Sequence, residues 1–140
     1  NSFEIGKLGG KPFAVDASER MVREARKLGV PAMLGDIEEL KYKEKFDKAL
    51  FAGSLECCEN PGKALENGAG ALKKGGKLVV STPVASLFGM LFFMFHLGHG
   101  WKANIFKKNE LKQLVESMGL DVKSMEMANP LDCTLEAVKK

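Results

Sequence analysis

Two short apolar segments of this chain each run into an aspartate, and the residues between them have helical spacing. Residues 12–16 end at Asp16, and residues 32–35 are followed by Asp36, twenty residues later. Between them Ser18 can cap a helix whose apolar side chains share one face, namely Met21, Val22, Ala25 and Leu28. A strand-helix-strand unit gives parallel strands. We therefore expect both carboxylates at the carboxyl edge of one sheet, where open α/β sheets bind ligands.

A pair of acids at that edge suits a nucleoside. The carboxylate of Asp16 can accept two hydrogen bonds from a ribose diol, with Ala17 beside it. Asp36 can accept from an exocyclic amine, next to the backbone N–H of Ile37. Two simpler roles stay open: Asp16 can cap the following helix, and Gly35-Asp36 can form an ordinary turn.

The rest of the chain alternates in the same way. The sequence predicts a helix end over residues 1–8, a strand over 47–53, a helix capped by Asn60, and a strand over 77–82 after Gly75-Gly76. Asn109 is expected to cap another helix, which Gly119 ends. Residues 120–127 and 131–138 then form an antiparallel hairpin. The predicted fold class is α/β: a Rossmann-like, mostly parallel sheet with an antiparallel carboxyl-terminal hairpin.

Composition favours one globular domain over residues 1–140. The chain has a mass of 15.3 kDa, 45% hydrophobic residues and a net charge of +3. Glu44 interrupts its densest group of lysines, residues 41–45, so we expect a solvated loop and no nucleic-acid partner. Three cysteines give no disulfide framework and are expected to be buried free thiols. The first residues lack the features of a signal peptide, and we expect a cytoplasmic location.

Several segments in their order and spacing resemble the class I S-adenosylmethionine-dependent methyltransferases, in particular the type 11 group with the ubiquinone and menaquinone enzymes. They are residues 14–21, 34–40, 46–50, 54–57, 60–61, 64–65, 72–83 and 106–120. The family's glycine-rich loop and the central strand before it have no counterpart in residues 1–140. We therefore expect these two elements to lie outside this chain, and residues 1–140 alone to fold poorly and to bind cofactor weakly.

The resemblance implies S-adenosylmethionine as cofactor and a set of residues around it. The implied cofactor-binding residues are Asp16, Ala17, Asp36, Ile37, Ser54 and Leu55. The residues placed on the substrate side are Glu56, His96, His99 and Trp101. Many relatives have a histidine after the glutamate, where this chain has Cys57. The two histidines lack a third ligand in sequence, and we expect no metal site.

The segment over residues 84–106 is the variable substrate or lid region in this resemblance. Its first part, residues 84–97, is almost wholly apolar but shorter than the ~20 residues that span a bilayer. It can form a buried core helix, a lid over a lipophilic substrate, or a helix lying on a membrane surface. Trp101 can stack on a substrate or anchor a loop onto the core.

The function implied is methyl transfer from S-adenosylmethionine to a small-molecule acceptor, with a lipid-like acceptor compatible with the apolar segment. The sulfonium is already electrophilic, so alignment matters more than a catalytic triad. Two alternatives stay open. One is a methyltransferase-like module or fragment without cofactor binding. The other is a nicotinamide-dependent oxidoreductase, against which the terminal hairpin argues.

Overall fold

The computed structural model describes residues 2–86, 90, 91, 94 and 104–140. Within these residues the chain divides into two compact units, residues 1–40 and residues 41–140, which are described in turn. The expectation of a single domain over residues 1–140 stays a prediction.

The first unit is a strand-helix-strand unit preceded by a short helix. Its elements are α1 (Ser2–Lys7), β1 (Ala14–Asp16), α2 (Glu19–Lys27) and β2 (Ala32–Leu34). Strands β1 and β2 are parallel, with Asp16 opposite Leu34. The Ser18 hydroxyl oxygen accepts a hydrogen bond from the backbone N–H of Met21 at 3.4 Å, which confirms the predicted cap. Gly29, at a φ of +76°, ends the turn that follows α2.

The apolar face predicted for α2 is only partly buried. Val22 is buried, whereas Met21 and Leu28 are 44% and 54% exposed. Strands β1 and β2 have only three residues each and offer a narrow surface, so the Val22 side chain suffices to cover it. The guanidinium of Arg26 also links α2 to β2, because its Nε and Nη2 donate hydrogen bonds to the carbonyl oxygen of Ala32 at 3.0 and 2.8 Å.

The second unit contains a four-stranded mixed sheet with helices packed against it. Its elements are β3 (Phe46–Ala52), a 3-10 turn (Leu55–Cys57), α3 (Pro61–Ala71), β4 (Leu72–Pro83), α4 (Lys108–Ser117), β5 (Leu120–Met127) and β6 (Asp132–Lys139). The strand order is β3-β4-β6-β5. Strand β3 is parallel to β4, and β6 is antiparallel to both β4 and β5. The predicted hairpin and the α/β fold class are therefore confirmed.

The core of this unit is aliphatic and lies between the sheet and helices α3 and α4. Its fully buried side chains include Leu65, Leu72, Leu78, Val80, Leu111, Val115, Leu120 and Leu135. Helix α3 begins as predicted, with Pro61 at its first turn and the Asn60 Oδ1 accepting from the backbone N–H of Lys63 at 3.0 Å.

Strand β4 begins earlier than the sequence predicted. The pair Gly75-Gly76 was expected to be a turn before a strand starting at Lys77, but β4 already pairs through Leu72, opposite Phe46. The register shifts before the next pair, Lys48 with Lys77. Gly75 has a φ of +73°, and a Cβ on Gly76 would lie 2.8 Å from the Lys73 carbonyl oxygen. The two glycines therefore form an irregularity inside the strand, since only glycine fits there.

The predicted cap of the fourth helix is wrong. Helix α4 begins at Lys108, with Lys107 in the cap position and no side-chain cap bond. Asn109 thus lies inside the first turn. The helix ends as predicted before Gly119, which has a φ of +80°.

In the part of the chain that the structure describes, four strand edges lack a partner strand, those of β1 and β2 in the first sheet and of β3 and β5 in the second. Strand β1 pairs only with β2, and β3 is the outer strand of its sheet. Leu50 on β3 is 44% exposed, as expected for an apolar strand at an edge.

Of the apolar segment, residues 84–97, the structure describes residues 84–86, 90, 91 and 94. Met90, Leu91 and Met94 have helical backbone and are 58%, 57% and 67% exposed. Among the residues described, no helix is both long and apolar enough to cross a bilayer. Exposure at these three positions argues against the reading in which the whole segment is buried core.

Candidate functional site

The two aspartates lie where the sequence placed them, at the carboxyl edge of the β1-β2 sheet. Asp16 is the last residue of β1, and Asp36 follows β2 by two residues. The Oδ1 of Asp16 accepts from the backbone N–H of Ser18 at 2.8 Å, and the Oδ1 of Asp36 accepts from that of Glu38 at 2.8 Å. Each carboxylate therefore shapes its own turn with one oxygen.

A carboxylate has two oxygens and about four lone-pair positions. The local bond accounts for one of these in each aspartate, so a turn role and a ligand role are compatible. Asp16 is half-buried and Asp36 is exposed. Of their neighbours, Ala17 is exposed and Ile37 half-buried. Cofactor binding by these four residues stays a prediction.

The second candidate group lies in the turn after β3. Gly53, at a φ of +66°, leads from the strand into this turn, and its N–H donates to the Ser81 carbonyl of β4 at 3.0 Å. Ser54 is exposed, whereas the Leu55 side chain is completely buried. Leu55 therefore anchors the turn in the core, and only its backbone can face a ligand.

Glu56 is a titratable group of this turn whose pKa is shifted by its surroundings. Its side chain is half-buried, and its Oε2 accepts from the Thr82 hydroxyl at 3.4 Å. Burial raises the pKa of Glu56, and the negative charge of Asp132 acts in the same direction, while hydrogen bonds from its own backbone N–H and from Thr82 oppose the rise. A carboxyl with a raised pKa is better suited to accept a proton than an ordinary surface glutamate.

A cavity of about 290 Å³ opens beside Glu56 within the second unit. It is lined by Gly53, Glu56, Ser81, Pro83, Leu131 and Asp132. Asp132 begins β6 directly opposite Pro83, the last residue of β4, so the hairpin brings it to this edge. The Nδ2 of Asn129 donates to its Oδ2 at 2.8 Å. The sequence analysis did not single out Ser81 or Asp132, because only the pairing of β6 with β4 brings Asp132 to the end of β4.

Asn104 is a further residue that sequence reasoning missed. Its backbone N–H donates to the Glu56 carbonyl at 2.8 Å. Its side-chain Nδ2 lies 2.6 Å from the Cys58 carbonyl oxygen and 3.4 Å from those of Leu55 and Glu56. One asparagine thus holds the turn around Glu56 from a position 48 residues away.

The cysteines differ from expectation in burial. Cys57 is exposed, Cys58 intermediate and Cys133 buried, and all three are free. Burial and the neighbouring Glu56 raise the pKa of the Cys57 thiol, which favours the unreactive protonated form. Expecting buried thiols throughout was therefore wrong for Cys57, because the turn that buries Leu55 points the next residues outward.

The remaining candidates, His96, His99 and Trp101, lie outside the described residues. In the part of the chain that is described, no three His, Cys, Asp or Glu side chains are grouped as a metal site would require.

Fold and site elements together define the class I methyltransferase type of α/β protein, and comparison with known proteins agrees. Residues 1–80 match the family model described as "Methyltransferase domain". The chain therefore belongs to the methyltransferase domain family, which confirms the resemblance seen in the sequence. An uncharacterized protein of Methanocaldococcus jannaschii is 39% identical over 85 residues, which cover 55% of this chain. The match spans 42% of that relative's length.

Solved structures share the architecture over nearly the whole chain. A SAM-dependent methyltransferase of Thermotoga maritima has a TM-score of 0.82 and 26% identity, covering 97% of this chain and 76% of that one. The magnesium protoporphyrin IX methyltransferase of Synechocystis with bound S-adenosylhomocysteine has a TM-score of 0.82 and 20% identity. That match covers 99% of this chain and 68% of the other, and it supports the fold alone.

Proposed function

We propose that the protein transfers a methyl group from S-adenosylmethionine to a small-molecule acceptor. The observation that carries this proposal is the pair of carboxylates, Asp16 and Asp36, at the carboxyl edge of β1 and β2 in a member of the methyltransferase domain family. The bound S-adenosylhomocysteine of the Synechocystis structure supports the choice of cofactor.

In this proposal Asp16 accepts hydrogen bonds from the ribose hydroxyls, and Asp36 with the N–H of Ile37 binds the adenine. Ala17, Ser54 and the backbone of Leu55 complete the contacts. The local bonds to Ser18 and Glu38 hold both carboxylates in place before the ligand arrives. Preorganised acceptors lose little entropy on binding, which favours affinity.

Once bound, S-adenosylmethionine supplies an electrophilic methyl group on a positively charged sulfur. The protein's own contribution is to orient the acceptor, with reacting atoms ~3–3.5 Å apart, and to remove a proton where the nucleophile carries one. Glu56 is the candidate for that second task, because it combines a raised pKa with a position on the wall of a cavity. His96, His99 and Trp101 are proposed to contact the acceptor as well.

For the acceptor we propose a molecule with an apolar part, bound with the help of residues 84–106. Met90, Leu91 and Met94 support this, because these three exposed apolar side chains offer a surface suited to an apolar ligand or a membrane surface. A cytoplasmic location is also proposed.

Calorimetric titration with S-adenosylhomocysteine tests the proposed cofactor, using protein expressed from the complete reading frame. We expect binding to S-adenosylhomocysteine and weaker binding to NADH and to ATP. Preferential binding of NADH would instead support a nicotinamide-dependent oxidoreductase.

A second candidate is a methyltransferase-like module that does not bind cofactor. The observation in its favour is that both aspartates already have a structural role in their own turns. A protein that folds cooperatively but gives no heat with any of the three ligands would support this second candidate.

A further inference from the structure

Asn104 links two segments that lie far apart in the sequence. It directly follows the undescribed part of the 84–106 segment, and its bonds reach the turn between β3 and α3. Two residues later, Phe106 pairs with Val84 in an isolated parallel bridge, and the Phe106 carbonyl accepts from the N–H of Ala85 at 2.9 Å. The returning chain is therefore fixed at the carboxyl end of β4 just where Asn104 reaches across.

Besides Asn104, the buried side chain of Leu55 holds this turn in the core, and the Cys58 thiol donates to the Ser54 carbonyl at 3.5 Å. Within it, the N–H of Cys57 donates to the Ser54 carbonyl at 3.1 Å and that of Cys58 to the Leu55 carbonyl at 3.2 Å. These two bonds make a single 3-10 turn, which is short and has poor hydrogen-bond geometry. The Nδ2 of Asn104 caps the carbonyls at the end of this turn, and a backbone bond to Glu56 adds a second point of attachment.

Glu56 lies at the centre of the held segment. The bond to its backbone carbonyl fixes where the residue sits, while the Thr82 hydroxyl orients its carboxylate at the cavity wall. Thr82 itself is completely buried in β4. Of the two partners, only Asn104 comes from outside the β3-β4 pair, so it links Glu56 to the segment that the proposed function assigns to acceptor recognition.

We propose that Asn104 is a positioning residue of the acceptor site, which holds the 55–58 turn so that the Glu56 carboxylate stays partly desolvated at the cavity. The catalytic role of Asn104 rests on the proposed function, whereas its effect on the 55–58 turn and on Glu56 can be tested separately. Asn104 acts through Glu56 and touches no reacting atom.

The test is a carbon-13 NMR titration of the Glu56 side-chain carboxyl in four variants of the protein from its complete reading frame. Asn104→Ala removes the Nδ2 donor, and Asn104→Leu removes it while retaining a similar volume. Asn104→Gln keeps an amide donor one methylene further out. Ser117→Ala removes a side-chain bond of similar type, from the Ser117 hydroxyl to the Leu114 carbonyl at 2.7 Å, far along the chain in α4.

We expect the pKa of Glu56 to fall toward its ordinary range in Asn104→Ala and Asn104→Leu, because a released turn lets water reach the carboxylate. Asp132 and Cys57 are the titratable groups that face Glu56, and the Asp132 carboxyl will be followed in the same spectra. Amide exchange of Cys58 should rise about tenfold in both variants, which corresponds to one lost hydrogen bond. Asn104→Gln should lie closer to the unmodified protein, and Ser117→Ala should leave Glu56 unchanged.

Unchanged Glu56 titration in both Asn104→Ala and Asn104→Leu would overturn the inference, as would an equal shift in Ser117→Ala. S-adenosylhomocysteine affinity should remain within about twofold in Ser117→Ala, since neither Ser117 nor its partner Leu114 is assigned to the cofactor. If the unmodified protein does not bind S-adenosylhomocysteine, the proposed function is refuted. The Glu56 titration then still decides whether Asn104 holds the turn.

Discussion

Helix α3 approaches strand β3 so closely that a single methyl group should disrupt the contact. A Cβ added to Gly68 would lie 2.6 Å from Cε2 and 2.8 Å from Cζ of Phe51. The Phe51 ring is only 5% exposed and has little room to move. We therefore expect Gly68→Ala to force the helix away from the sheet or to turn the ring.

The magnitude follows from two opposing terms. Replacing a helical glycine by alanine normally stabilises by ~1 kcal/mol, whereas overpacking a filled core costs ~1–3 kcal/mol. Gly70, on the same helix, provides the matched control, because its Cβ would lie 3.7 Å from the Tyr42 carbonyl oxygen, an ordinary contact. Helix propensity is common to both substitutions, so it cancels in the comparison. Gly68→Ala should be less stable than Gly70→Ala by ~1–3 kcal/mol.

Equilibrium unfolding in urea measures this difference directly. Phe51 is followed by Ala52, Gly53 and the turn that carries Glu56, so a displaced ring should also disturb the cavity. Equal midpoints and slopes for the two variants would refute the reasoning, because they would show that α3 does not pack on β3 at this distance.

Three further predictions concern single side chains. Glu56→Gln should raise stability near neutral pH, because burial raises the folded pKa of Glu56 above the ordinary 4.5. The wild type therefore loses stability relative to the variant as pH rises from 4.5 through the folded pKa. Thermal unfolding of the two proteins across this pH range should show their melting temperatures diverging. Asn60→Ala should cost ~1 kcal/mol through loss of the cap bond to Lys63, whereas Asn109→Ala, which removes no cap, should cost clearly less in the same urea assay. Lys139→Met should destabilise by ~1 kcal/mol, since the Lys139 ammonium donates to the Leu72 carbonyl at 2.7 Å, and a Met variant as stable as wild type would show that this bond contributes nothing.

The sequence predicted those features that local physics decides. Ser18 and Asn60 cap their helices because a short polar side chain before an amphipathic stretch can accept a hydrogen bond from an unpaired N–H of the first turn. The hairpin and the strand end at Asp16 followed from alternation and apolar runs bounded by turn residues, and the strand predicted over residues 47–53 differs from Phe46–Ala52 by one residue at each end. The predictions that were wrong depend on tertiary context: Asn109 resembles a cap, but the cap position lies two residues earlier at Lys107, next to the bridge through Phe106.

Contacts between distant segments could not be read from the sequence. Asn104 lies among residues with no periodic pattern, and nothing in its neighbourhood indicates that its amide reaches carbonyls 46 to 49 residues away. Asp132 resembles a turn residue beside Asn129-Pro130, and only the pairing of Pro83 with Asp132 brings it to the cavity. Leu55 matched a site motif by position, yet its side chain belongs to the core.

The central claim is that Asp16 and Asp36 form the nucleoside part of an S-adenosylmethionine site. Its most direct test is calorimetric titration of S-adenosylhomocysteine into Asp16→Asn, Asp36→Asn and the control Asp121→Asn. Asparagine retains an oxygen for the local bond to Ser18 or Glu38, so the turns should persist while the charge is lost. Asp121 lies on β5 beside Lys123 and has no assigned role in binding.

We predict that Asp16→Asn weakens S-adenosylhomocysteine binding by ~1.5–3 kcal/mol, the usual contribution of hydrogen bonds to a charged group, which is about 10- to 100-fold in Kd. Asp36→Asn should weaken binding in the same direction, and Asp121→Asn should bind as the unmodified protein does. Unchanged affinity in both Asp16→Asn and Asp36→Asn, with the fold intact, would contradict the account.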